Sequence, residues 1–200
     1  MDFRYYSDMN VMHIRNFFTT EEYVTMWNEL SALCIDEFLI DAKEAGGATT
    51  ENVMLRDNRG LPIESIMEAE NSSIIQLMNK VNCADIISKL TEYDELFNAM
   101  YDSRKQTHLI NHYTNSQSYG YHKDNCVITA ICVFHKTPMT YTGGKLSFRD
   151  SKGYLEPTLL TKDLIIFPSN LEHAVSSVNL IEGVSMDNMN GRISVSKFIK

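Results

Sequence analysis

The period of the apolar residues changes once along this chain, and that change restricts the fold more than any single motif. In the first half, apolar positions recur at helical spacing. Tyr23, Met26, Trp27, Leu30, Leu33, Cys34 and Phe38 form one series, Ile74, Leu77, Met78 and Val81 a second, and Ile86, Ile87 and Leu90 continue it after an interruption near Asn82 and Cys83. Tyr93, Leu96, Phe97 and Met100 close a further helix. After Arg104 the pattern is extended, with strands expected over residues 107–113, 125–135, 144–149, 154–160, 163–167, 172–178 and 192–199. Helices first and short strands afterwards predict an α+β domain in which a double-sheet jelly roll, a double-stranded β-helix, carries the N-terminal helices on its major sheet. With 200 residues and 44% apolar content, one core is expected. The reading is a single domain over 1–200, with 1–104 mainly helical support and 105–200 the jelly-roll core.

Local signals refine the first half. Residues 11–18 (VMHIRNFF) read as a short strand, and Thr19 with Glu22 forms a capping box that starts a helix reaching to about residue 41. Residues 45–50 (AGGATT) break it, and residues 51–62, rich in turn formers, read as a loop with one short strand at most.

Within the extended half, the stretch YTNSQSYGYHKDN places His122 and Asp124 two residues apart at the entrance to a strand. On extended chain that spacing points both side chains to one face. An imidazole and a carboxylate presented together supply two corners of a metal site, and His173 from another strand is the candidate for the third. Two histidines and one carboxylate on one face of an iron ion leave the remaining positions open for co-substrate and oxygen. H-x-D alone is a weak signal, because many chains contain one without any ligand. Histidine binds metal only when neutral, so iron affinity is expected to decline below pH ~6. Continued alternation would put Cys126, Ile128, Ala130, Cys132 and Phe134 on the face of His122 and Asp124, lining the interior, with Cys126 as small apolar filling. His13, His108, His112 and His135 fall outside the pattern and read as surface or core histidines.

Charge and cysteine usage exclude several classes. A net charge of −8 argues against broad capture of a phosphate backbone, so nucleic acid is an unlikely partner. Cys34, Cys83, Cys126 and Cys132 make no C-x-x-C pair, which fits free thiols in a reducing compartment. No apolar run approaches the ~20 residues needed to span a bilayer, and the first residues lack the basic start and apolar core of a leader. A cytoplasmic protein without membrane contact is expected.

In order and spacing, these motifs resemble the 2-oxoglutarate- and Fe(II)-dependent dioxygenases, and within them the prolyl 4-hydroxylase catalytic domain. The matching pieces are Tyr113, Tyr119, His122-Lys123-Asp124, Gly143-Gly144-Lys145-Leu146-Ser147-Phe148, Pro157, Leu164-Ile165-Ile166-Phe167, and Leu171-Glu172-His173. Gly191-Arg192-Ile193-Ser194 resembles the closing motif, whose basic residue pairs with the distal carboxylate of 2-oxoglutarate while the serine adds a hydrogen bond. The resemblance implies Fe(II) held by His122, Asp124 and His173, co-substrate contacts from Arg192, Ser194, Tyr113 and Tyr119, and use of O2; whether ascorbate is needed to keep the iron reduced is not legible. It implies hydroxylation of a C–H bond, in a prolyl residue of a peptide or protein or in a small molecule, with release of succinate and CO2. Substrate identity and oligomeric state are not legible. Lys197 is the second candidate for the clamp.

Two positions depart from the family. Residues 179–190 make the interval between His173 and Arg192 nearly twice the usual length, which reads as a loop insertion, either a lid whose tip covers the site or an inert loop. Cys132-Val133-Phe134 stands where a co-substrate tyrosine is common. Three rivals follow. An AlkB-type nucleic-acid demethylase would repeat an arginine six positions after Arg192, where this chain has Phe198. A jelly-roll metal-binding module without turnover would not need four intact site residues. A cupin-like metal isomerase would not need the Arg192 clamp.

Overall fold

The computed structural model describes residues 1–47, 49–50, 53–103, 105–184 and 188–200. Two strands, β1 (Asp2–Tyr6) and β2 (Val11–Arg15), precede helix α1 (Thr20–Leu33). Short strands β3 (Thr49–Thr50), β4 (Val53–Met54) and β5 (Arg59–Pro62) follow, then helices α2 (Ser73–Met78), α3 (Ala84–Thr91) and α4 (Ala99–Asp102). The remainder is extended: β6 (Gln106–Tyr113), β7 (Tyr119–His122), β8 (Ile128–Phe134), β9 (Tyr141–Gly143), β10 (Leu146–Asp150), β11 (Gly153–Leu155), β12 (Leu164–Pro168), β13 (Glu172–Val175), β14 (Val178–Leu180) and β15 (Arg192–Ile199).

Two antiparallel sheets carry the site. The larger runs β1-β2-β12-β8-β15-β6-β5 and the smaller β11-β10-β13-β7. Alternation in the central strands divides the apolar residues between two cores. Ile128, Ala130 and Cys132 of β8, Leu164 and Ile166 of β12, and Ile193 and Val195 of β15 pack with Met26 and Leu30 of α1 and Met78 of α2. Their neighbours Ile131, Ile165 and Phe167 point the other way, onto Leu146, Phe148 and Val175 of the smaller sheet. The helices therefore cover one face of the larger sheet, and the smaller sheet covers the other.

The capping box forms as the sequence predicts: the Thr19 hydroxyl accepts from the Glu22 N–H, and the Glu22 carboxylate accepts from the Thr19 N–H. The helix stops at Leu33 rather than near residue 41. Ile40 and Gly60 exchange backbone hydrogen bonds of 2.9 Å in both directions, and that pairing draws the chain out of helical geometry. The first half is also more than helical support, because β1, β2 and β5 extend the larger sheet. The expected strand over 154–160 ends at Leu155, close to Pro157, which has no N–H to give a ladder. The expected strand over 172–178 divides into β13 and β14.

The long connection before Arg192 is held at both ends. Asn179 and Leu180 belong to β14, paired with β9, and the Ile181 N–H donates to the Thr140 carbonyl. Met189 is buried in the helix-side core, and His112 Nε2 donates to the Asn190 carbonyl at 2.9 Å. The tip of the expected lid, residues 185–187, lies outside the described residues.

Phe148 joins the sheets, its ring lying 4.8 Å from Phe167 in an edge-to-face contact. Phe148→Ala is expected to cost about 3–5 kcal/mol and Phe148→Leu less than about 1.5 kcal/mol, read from urea midpoints at constant slope.

Candidate metal centre

His122 ends β7, and His173 faces it directly across the antiparallel pairing of β7 with β13. Asp124 is not on a strand. It lies just past β7, where its N–H donates to the Ser169 carbonyl at 2.9 Å, and this bond turns its carboxylate back toward the two imidazoles. His122 Nε2 is 3.6 Å from Asp124 Oδ1, and His173 Nε2 is 3.4 Å from Asp124 Oδ2. One ligand atom from each residue lies within 4.8 Å of the other two.

The tautomers follow from elementary hydrogen-bond roles. His122 Nδ1 is 2.9 Å from the Gly120 carbonyl, and His173 Nδ1 is 3.0 Å from the Leu171 carbonyl. A carbonyl only accepts, so both Nδ1 atoms carry the proton and both Nε2 atoms present lone pairs. Two lone pairs and a carboxylate then converge with no donor among them, which favours a cation between them. Two nitrogens and one oxygen on one side of a site suit Fe(II) with open positions. Around them, Thr129 Oγ1 donates to Asp124 Oδ2 at 2.7 Å and is itself 2.8 Å from Ser169 Oγ, so the residue that holds the carboxylate is in turn positioned by a neighbour. Phe167 packs on the His173 ring at 4.7 Å, and Tyr119 stacks flat on His122 at 3.5 Å.

Burial, with the neighbouring His173, pushes the His122 imidazole down to about 3. An imidazole so depressed stays neutral in the metal-free fold, with its Nε2 lone pair available.

Arg192 opens β15 opposite Tyr113 of β6. It is 2% exposed, and its Nη1 donates to Ser194 Oγ at 3.0 Å. Its guanidinium lies 5.3 Å from the Tyr113 ring centre. No carboxylate among the described residues lies within ion-pair distance of it. Two glycines admit this arrangement. Gly191 has φ +97° and passes so close to the Tyr113 carbonyl that a Cβ would lie 2.1 Å from its oxygen; at Gly144 a Cβ would lie 2.8 Å from Arg192 Cδ. Burial pushes the Tyr113 phenol up to about 12, against the pull of nearby arginines, so it stays protonated.

The structure brings Tyr113, Tyr119, His122, Asp124, His173, Arg192 and Ser194 around one cavity. It separates other candidates from it. Lys197 alternates to the helix side of β15 and donates to Asn79 Oδ1, so it cannot reach the cavity. Cys132 and Phe134 also face the helices, and Ile131 faces the cavity instead. The bend at residues 125–127 resets the alternation after Asp124. His13 meets Asp163, His108 meets Glu64, His112 meets the Asn190 carbonyl and His135 the Lys136 carbonyl, all away from the triad. The cavity also contains Arg56, Asn111, Ser196 and Phe198, which the sequence did not indicate.

No protein-family model matches the chain. A PKHD-type hydroxylase of Shigella sonnei is 27% identical over 105 residues, 47% of either chain, so the chain spans about half the length of that curated relative. A prolyl hydroxylase of Trichoplax adhaerens, solved with a hypoxia-inducible-factor peptide, superposes with a TM-score of 0.65 over 94% of this chain and 82% of that one, at 14% identity. The chain has the fold of the 2-oxoglutarate- and Fe(II)-dependent oxygenases. A prolyl 4-hydroxylase of Pseudomonas putida agrees, with a TM-score of 0.62, 13% identity, and 96% and 92% coverage. In this oxygenase fold the resemblance read from the motifs holds in sequence and in structure. Among the described residues, no helix is long and apolar enough to cross a membrane.

Depression of the His122 imidazole makes the stability of the metal-free fold depend on pH. In metal-free protein the unfolded chain takes up a proton at this residue near pH 6.5 while the folded chain does not until about 3. Stability should therefore be lost progressively as pH falls from 6.5 toward 3. Urea midpoints between pH 7 and 4, in chelator, should fall less steeply for His122→Asn than for the unsubstituted protein; equal slopes would show that His122 is not the group responsible.

Proposed function

We propose that this chain is an Fe(II)- and 2-oxoglutarate-dependent dioxygenase that converts a C–H bond to an alcohol, with a prolyl residue of a peptide or protein as substrate. We read residues 1–200 as one catalytic domain and the two facing sheets as a double-stranded β-helix. The observation that carries the reading is the pairing, in one cavity, of three converging acceptors with a buried arginine that has no acidic partner among the described residues.

The donor set assigns the roles. His122, Asp124 and His173 would hold Fe(II) through two neutral Nε2 atoms and a carboxylate oriented by Thr129. Arg192 would receive the distal carboxylate of 2-oxoglutarate in a two-pronged bond, with Ser194 and Tyr113 beside it. Tyr119, stacked on His122, would fix the plane of that imidazole. Iron, when bound, supplies the oxygen-activating redox chemistry, one oxygen atom going to succinate with loss of CO2 and the other to the substrate. The protein supplies orientation and buried polar side chains around the cavity, where charge-assisted contacts are stronger than in water. The prolyl assignment rests on the names of similar proteins, since one fold serves many substrates. Four free thiols fit a reducing compartment, which we take to be the cytoplasm. Ascorbate would serve to keep iron reduced.

Purified protein with Fe(II), 2-oxoglutarate and oxygen should release succinate, and proline-containing peptides should raise the rate. No succinate under any substrate pool would overturn the reading. 2-Oxoglutarate should also raise the melting temperature of iron-loaded protein held without oxygen, corresponding to about 2.7 kcal/mol at a hundredfold excess over its Kd. Arg192→Ala should abolish most of that shift and Arg192→Lys should give an intermediate one.

A further inference from the structure

The cavity holds a second buried guanidinium whose charge the proposed chemistry does not use. Arg56 follows β4, forms a backbone bridge to Tyr119, and is 4% exposed. A guanidinium has five N–H donors. Here Nη1 donates to Asn111 Oδ1 at 2.8 Å and Nη2 to the Ala42 carbonyl at 3.3 Å, while Nε has no acceptor. Both acceptors are neutral. Among the described residues no carboxylate lies within ion-pair distance of Arg56. Burying an unpaired cation is costly, and a well-placed anion relieves that cost.

Position gives the charge a direction. The guanidinium lies 5.5 Å over the Tyr119 ring, and Tyr119 stacks in turn on His122, so Arg56 is one aromatic layer from a proposed metal ligand. Gly47 closes part of its surroundings: a Cβ there would lie 2.8 Å from Nε. The side chain nevertheless lines the cavity shared by the triad and Arg192. Asn111 and Ser196 continue the polar wall, 3.4 Å apart.

Charge balance identifies what is missing. The formally charged described residues lining the cavity are Arg56, Arg192 and Asp124. On the reading above, a divalent ion and a dianionic co-substrate cancel each other, Asp124 is committed to the metal and Arg192 to the co-substrate. One positive charge remains, on Arg56.

We propose that Arg56 receives a carboxylate of the primary substrate, so that the oxidised carbon belongs to a molecule or residue bearing an acid group. This deepens the function proposed above and rests on it. The carboxylate comes either from a free acid or chain terminus or from an acidic side chain beside the target residue.

The test uses protein loaded with Fe(II) and 2-oxoglutarate without oxygen, and matched acid and amide probes. N-acetyl-L-proline against N-acetyl-L-prolinamide presents a terminal carboxylate. The capped dipeptide amides acetyl-Pro-Asp-NH2 and acetyl-Pro-Asn-NH2 present a side-chain one. The acid of at least one pair should raise the melting temperature with at least tenfold lower half-saturating concentration than its amide, and the responding pair identifies the source. Arg56→Gln should abolish that preference while leaving the 2-oxoglutarate shift unchanged. Arg56→Lys, which keeps the charge and serves if the glutamine variant does not fold, should retain the preference at reduced strength. Pairs that respond alike or not at all, or an acid preference unchanged in Arg56→Gln, overturn the assignment. So does loss of the 2-oxoglutarate shift in Arg56→Gln, which would make Arg56 part of the co-substrate clamp. If the unsubstituted protein shows no shift with 2-oxoglutarate, the oxygenase reading itself fails; a normal shift without acid preference sinks only the role of Arg56.

Discussion

The cross-strand pairing of His173 with His122 is the constraint on which the site depends. Antiparallel partners place side chains about 5 Å apart on the same face, so two imidazoles that are distant in sequence meet without help from any loop. The carbonyls of Gly120 and Leu171 then select the Nδ1–H tautomer at both rings, and each bond reaches only two residues back along its own chain. Ring orientation is therefore a local property of two strands. Asp124 is the one member that needs distant support, from Ser169 and Thr129.

A second consequence of strand alternation is that β15 divides its residues between two unlike environments. Arg192, Ser194, Ser196 and Phe198 face the cavity, whereas Ile193, Val195 and Ile199 face the helices. Lys197 belongs to the second set and is fully buried there, and burial pushes its ammonium down to about 7. A shift of one residue in the pairing of β15 with β6 and β8 would exchange the two sets, so the same register that buries the core also aims Arg192.

Much of this was legible in the sequence where a feature is short-range or chemically demanding. The capping box of Thr19 and Glu22, the change from helical to extended period, and the spacing of His122, Asp124, His173 and Arg192 each depend on few residues with strict requirements. What failed depends on where the chain turns. Alternation counted through residues 125–127 assigns Cys132 to the cavity, but a bend there resets the phase and gives that place to Ile131. The helical pattern continued past Leu33 although Ile40 is committed to a strand partner 20 residues further on, which no periodicity records. Arg56 was invisible for the same reason: it comes from an irregular segment whose position is fixed only by its pairing with Tyr119.

The two cavity arginines also bear on how the protein balances stability against binding. Asn111, Ser194 and the Ala42 carbonyl satisfy some of their donors, but these acceptors are neutral and neither buried guanidinium has a carboxylate within ion-pair distance among the described residues. Replacing either with a well-packed apolar residue would remove that cost, whereas removing a counter-ion would add to it. The ligand-free fold is thus less stable than its packing alone would allow, and anions that fit the cavity recover part of the difference on binding. Converging lone pairs on His122 and His173 beside the Asp124 carboxylate repeat the pattern with opposite sign, favouring a cation. On the reading proposed above, a metal at the triad and an acid group at Arg56 would lie on either side of the Tyr119 ring, which stacks on His122 and carries the Arg56 guanidinium 5.5 Å from its centre.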